Sequence, residues 1–113
     1  MRLLLMVLNK VELLDPLLES LMENGVRGAT ILSSTGMARE LAKIEDFPFF
    51  GTLREWLDPE REENKTIFMA VKDEEVAKVK DVIHSVVGDL SKPDTAVLFT
   101  LPILDVEGIG NAE

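Results

Sequence analysis

The sequence contains no cysteine, no tyrosine, one histidine and one tryptophan. Without cysteine there is no disulfide framework, no thiol nucleophile and no zinc–thiolate site. The single histidine, His84, sits off the centre of an apolar helical stripe. A general base or metal ligand needs partners, and none is spaced around it, so a helix-surface position is expected. Cationic residues are scarce as well: 12 Lys and Arg stand against 21 Asp and Glu, a net charge of −9. That balance argues against sequence-independent binding of nucleic acid or anionic lipid, both of which need a cationic surface. Long apolar runs are also missing. The run Leu3–Leu8 is far short of the ~20 apolar residues of a membrane span. No small-residue cleavage site follows it, so it is not read as a signal peptide. A soluble, cytoplasmic protein without direct membrane insertion is expected.

What is present is a hydrophobic fraction of 46% in 113 residues, enough for one domain over 1–113 with one core. "LLLMVL" (Leu3–Leu8) reads as a buried strand. In "DPLLESLMENG", Asp15 suits an N-cap, Pro16 the first helical position, and Gly25 a left-handed helix end. Leu17, Leu18, Leu21 and Met22 form its stripe. "ATILSS" (29–34) and "TIFMAV" (66–71) predict two further strands. Asp73 is read as the cap of a second helix, with Val76, Val79, Ile83 and Val86 inward and Gly88 at its end. "AVLFTL" (96–101) closes the chain as a fourth strand. The order predicts an α+β fold of the ferredoxin-like βαββαβ type: a sandwich of one antiparallel sheet with two helices on one face.

Two helices cover only one face of such a sheet, yet the strands do not alternate apolar with polar. Neighbouring residues of Leu3–Leu8 point to opposite faces, so an apolar face is left bare. The expectation is an oligomer closed through that face. The connection between strands two and three, 35–65, is too long for a hairpin. It holds four of the six aromatic residues: Phe47, Phe49, Phe50 and Trp56. "MARELA" (37–42) is made of good helix formers, and Thr52-Leu53-Arg54-Glu55 matches a capping box. A partner surface built on Phe47, Phe49, Phe50, Arg54 and Trp56 is expected there, against the alternative of a purely structural arm.

Several polar residues have the chemistry of a ligand site. Gly36 allows close backbone approach and Arg39 is a fork for phosphate or carboxylate, although a turn glycine and a surface ion pair account for the same residues. Ser91, Lys92, Asp94 and Thr95 can offer hydroxyls and amides to a nucleotide, and a plain helix-to-strand connection is the simpler alternative. Asp105 and Glu107 read as solvated carboxylates, and the run Glu60–Glu63 as a solvated face without a spaced metal-ligand loop. No catalytic residue, metal or obligate cofactor is assigned.

The organisation resembles the PII family of nitrogen-regulatory signalling proteins, in its divergent PII-like branch, from Leu3 to about Val106. The likeness rests on element order, on "GVRGAT" (25–30), on "GMAR" (36–39) at the start of the family's long T-loop, and on "GDLSKPDTAVLF" (88–99) at its B-loop. It implies a homotrimer whose sheets line a central barrel. It implies an effector, usually an adenine nucleotide, held between protomers by Thr30, Gly36, Met37, Arg39, Gly88, Ser91, Lys92, Asp94 and Thr95. It implies control of a transporter or enzyme through the 35–65 loop. This chain departs from the family in three ways. Its B-loop region has one cation, Lys92; its C-terminal stretch has no Arg or Lys; and Glu40 replaces the Gln of 2-oxoglutarate sensors. The alternatives are a small ferredoxin-like oligomeric enzyme, or a structural oligomer without ligand.

Overall fold

The residues of Leu3–Leu8 divide between two environments. In the computed structural model, which describes residues 1–44 and 63–109, Leu4, Met6 and Leu8 are 0% exposed. Leu3, Leu5 and Val7 between them are half-buried. This is the alternation a pleated strand imposes on any sequence. The elements in order are β1 (Arg2–Leu8), α1 (Leu14–Glu23), β2 (Thr30–Ser34), α2 (Met37–Leu41), β3 (Asn64–Val71), α3 (Val76–Val87) and β4 (Ala96–Pro102). The four strands form one antiparallel sheet in the order β2-β3-β1-β4.

Register explains the two faces. Met6 lies opposite Ile67 and Leu98 on the helix side; Leu5 lies opposite Phe68 and Phe99 on the other. Leu17 and Leu21 of α1 are buried with the first set, as are Val79, Val82, Ile83 and Val87 of α3. These spacings of three and four put each set on one helical stripe. Both helices therefore serve one core on one side of the sheet. On the other side Leu32, Val97, Phe99 and Leu101 are exposed and apolar. No described helix is long and apolar enough to cross a membrane.

The ends of the helices depart from expectation. Asp15 is not an N-cap: α1 begins at Leu14 after a 3₁₀ turn, Val11–Leu13, and its N-cap makes no side-chain bond. Asp73 likewise opens a 3₁₀ turn, Asp73–Glu75, ahead of α3. Its carboxylate is used elsewhere, by the Met1 amine at 2.9 Å and Arg2 Nε at 3.4 Å. Met22 is 61% exposed, outside the α1 stripe, because the core-facing arc is narrower than the apolar one. The exit of α1 follows the sequence closely. Gly25 has φ +94°, its N–H reaches Met22 O, and Val26 N–H reaches Leu21 O at 2.9 Å. That is a Schellman closure, with Val26 packed back on the core. Asn64 and Lys65, read as the end of the long connection, belong to β3.

Candidate functional site

β2 runs parallel to β1, since both are antiparallel to β3. One end of the sheet thus gathers the starts of β1 and β2. The other gathers Leu8, Ser34, Asn64 and Ala96. This second end receives both α2 and the 88–95 loop, so most of the candidate residues converge there from two separate parts of the chain.

The loop is anchored by its last residues. Thr95 is buried, and its carbonyl accepts from the N–H groups of Asn9 (2.9 Å) and Lys10 (3.2 Å). Asp94 has φ +56°, a left-handed conformation that Asp tolerates better than most residues. That turn directs its carboxylate to Arg39, whose Nη2 donates to Asp94 Oδ1 at 3.2 Å. Arg39 is 9% exposed, so the guanidinium is sheltered and tied to the loop. Asp89 accepts from both the N–H (2.9 Å) and the hydroxyl (2.7 Å) of Ser91. The Ser91 hydroxyl bond is the main reason its carboxyl sits below the ordinary carboxylate range. Gly88, at φ +91°, ends α3 in a conformation suited to glycine.

At the same end lies a polar cluster on the bare side of the sheet, where only apolar side chains were expected. Asn64, 4% exposed, donates through Nδ2 to Asn9 Oδ1 at 3.1 Å. Ser34 donates its hydroxyl to Asn64 Oδ1 at 2.5 Å. With that hydrogen committed, the 2.7 Å contact between Ser34 and Thr66 is a donation from Thr66. A buried amide bonded through both its oxygen and its nitrogen, with two hydroxyls beside it, fixes local geometry, and breaking any one bond orphans another. Gly36 adjoins the cluster, but its backbone is extended (φ −92°, ψ 161°) and an added Cβ meets Asn64 only at ordinary contact, 4.0 Å. Glycine is therefore not demanded there by conformation.

Of the nine ligand-site candidates, Arg39 and Asp94 are in direct contact, and Gly36, Gly88, Ser91, Lys92 and Thr95 share their end of the sheet. Met37 points outward, 78% exposed. Thr30 is separated from this group. It lies opposite Phe68, four strand residues from Ser34, or ~13 Å at the usual rise. Asn9, Ser34, Asn64 and Thr66 were missed by sequence reading. Asn64 carried one usable signal, an amide at the mouth of an apolar strand, where Asn is disfavoured. Glu40 is exposed and bonded by Lys43 at 2.9 Å, which holds its carboxyl below the ordinary range. His84 is exposed on α3, and Asp105 and Glu107 are exposed. Among the described residues no group of His, Cys, Asp or Glu has metal-ligand geometry. Phe47, Phe49, Phe50, Arg54 and Trp56 lie outside the described residues. No family model matches the chain, and no curated protein does.

Proposed function

We propose that the chain is a cytoplasmic PII-like signal-transduction regulator, ferredoxin-like in fold and trimeric. In this reading a small metabolite, with adenine nucleotides the first class to test, sits in clefts between protomers. The long loop after β2 then carries the signal to a transporter or enzyme, in nitrogen regulation or a related circuit. One observation carries the proposal: the uncovered sheet face, where Leu5 lies between Phe68 and Phe99 and four large apolar side chains are exposed. Apolar surface of this kind favours an interface. A trimer with inward sheets covers it with copies of itself. The strand order β2-β3-β1-β4 agrees with the ferredoxin-like arrangement.

The base of the long connection supports the same reading. Arg39, on the helix that opens the connection, is bonded to Asp94 in the 88–95 loop. A ligand that engages Arg39 competes with Asp94, and the competition links ligand occupancy to the position of both segments. The test is light scattering at micromolar protein, followed by calorimetric titration with AMP, ADP and ATP. A trimer that binds one of them is the expected result. A monomer, or a trimer blind to all three whose Arg39→Gln variant is also unchanged in every metabolite screen, counts against it.

A further inference from the structure

The opposite end of the sheet holds a second cleft, which takes in Thr30 alone of the residues assigned above to the effector. β2 begins at Thr30 opposite Phe68, so β3 runs on from Met69 to Val71 without β2 beside it. The segment that leaves α1 passes in front of this gap, and the residues after β4 close it from the side. Between them is a cleft of about 830 Å³. That volume lies in the range of small-molecule sites. Its walls are chiefly aliphatic, with Val71 and Val79 at the back and Val106 at the side.

The charges of this cleft run against those of the chain. The sequence has 21 acidic and 12 basic residues. The cleft has three cationic side chains, Arg27, Lys72 and Lys78, and one carboxylate, Glu75. None of the three makes an ion pair with a described residue, a state they share with Lys10, Lys80 and Lys92; what sets them apart is that all three line one apolar cleft. The nearby carboxylate of Asp73 is occupied by the Met1 amine and Arg2. Arg and Lys around an apolar hollow are suited to an anionic head, with the aliphatic walls taking the rest of the molecule.

We infer that this cleft binds a free amphipathic anion: one carboxylate or phosphate head on an aliphatic body. The head lies among Arg27, Lys72 and Lys78, and the body against Val71, Val79 and Val106. A free molecule is favoured over the same head group in a bilayer, because a net charge of −9 opposes approach to an anionic membrane.

The experiment is an amide-shift titration of the full chain with sodium octanoate and with octyl phosphate, and 1-octanol as the uncharged control. Saturable shifts are expected in 25–30, 72–79 and 103–109, with octanol at least about tenfold weaker, the scale of losing a charge-assisted bond. Arg27→Gln and Lys72→Gln should each weaken octanoate by about tenfold and leave octanol unchanged. The paired Glu variants should abolish octanoate binding; the Gln variants keep the test valid should those fail to fold. Equal binding of octanol and octanoate, unchanged affinity in both Gln variants, or shifts centred on Leu5 and Phe99 overturns the inference. So does co-sedimentation with phosphatidylglycerol vesicles that the Gln variants abolish, since the head group then belongs to a membrane. A monomeric protein that still binds octanoate in this cleft defeats the trimer proposal and leaves this one standing.

Discussion

Phe99 offers a direct measure of whether the bare sheet face is covered in solution. Its side chain is 50% exposed in the single chain, on β4 opposite Leu5. A phenylalanine carries on the order of 200 Å² of surface, so covering the exposed half removes roughly 100 Å² from water. At ~25 cal/mol/Å², and allowing for the Cβ that alanine keeps, Phe99→Ala costs an interface ~2 kcal/mol per protomer. Three copies make ~6 kcal/mol per trimer, roughly four orders of magnitude in the association constant. The helix-side core is untouched, so the dissociated protomer should keep its circular dichroism spectrum. Leu4→Ala, at a residue with no exposure, is the contrast: it should cost about 2–5 kcal/mol of folding stability whatever the oligomeric state. Sedimentation equilibrium across a hundredfold range of concentration, with thermal melts of both variants, reads the two effects apart. The reasoning fails if wild-type protein is monomeric throughout. It fails equally if Phe99→Ala leaves assembly unchanged while lowering the melting midpoint as far as Leu4→Ala does.

Three further outcomes are expected. Asp94→Asn keeps a residue that accepts the left-handed backbone but removes the charge facing Arg39, so chemical denaturation should show a loss of about 1–2 kcal/mol, and Asp94→Ala should lose more through backbone strain. Asp73, held below the ordinary carboxylate range chiefly by its hydrogen bond from the Met1 amine, has a folded pKa under its unfolded one; its contribution is present above the ordinary range and lost as pH falls through the folded value, so the acid limb of a melting-temperature profile should be shallower in Asp73→Asn. Trp56→Ala should leave assembly and melting midpoint nearly unchanged while weakening the protein partner by ~2 kcal/mol or more; a large fall in midpoint would falsify the assignment of Trp56 to a partner surface.

The elements were legible in the sequence because each depends on neighbours along the chain. The apolar spacing of α1 and α3 and the glycine after each helix are local signals, and the structure follows them. The two Asp caps misled for a related reason. Asp15 falls one residue inside α1, because the 3₁₀ turn Val11–Leu13 starts the winding earlier than the Asp-Pro pair suggests, and Asp73 sits in a 3₁₀ lead-in with its carboxylate claimed by another partner. For Asp73 that partner is the amine at residue 1, invisible to any local pattern. The same limit governs the candidate site. Arg39 and Asp94 were each recognisable by residue type, but their bond spans 55 positions. Asn64 was hidden behind a charged run, and its partners Ser34 and Asn9 lie 30 and 55 positions away.

The bare face was an exception to this limit, for a physical reason. A strand apolar at six consecutive positions, Leu3–Leu8, cannot satisfy both faces with helices on one side, so the sequence of β1 carries information about a surface that a single chain does not cover. The contradiction between composition and monomeric architecture is itself the long-range signal. It survives where pairwise contacts do not, because it needs no knowledge of which residue lies across the gap. The polar cluster at one end of that face then acquires a role. Asn9, Ser34, Asn64 and Thr66 bond to one another within the protomer, so in the proposed trimer they would bring much of their hydrogen bonding with them to the border of the apolar interface.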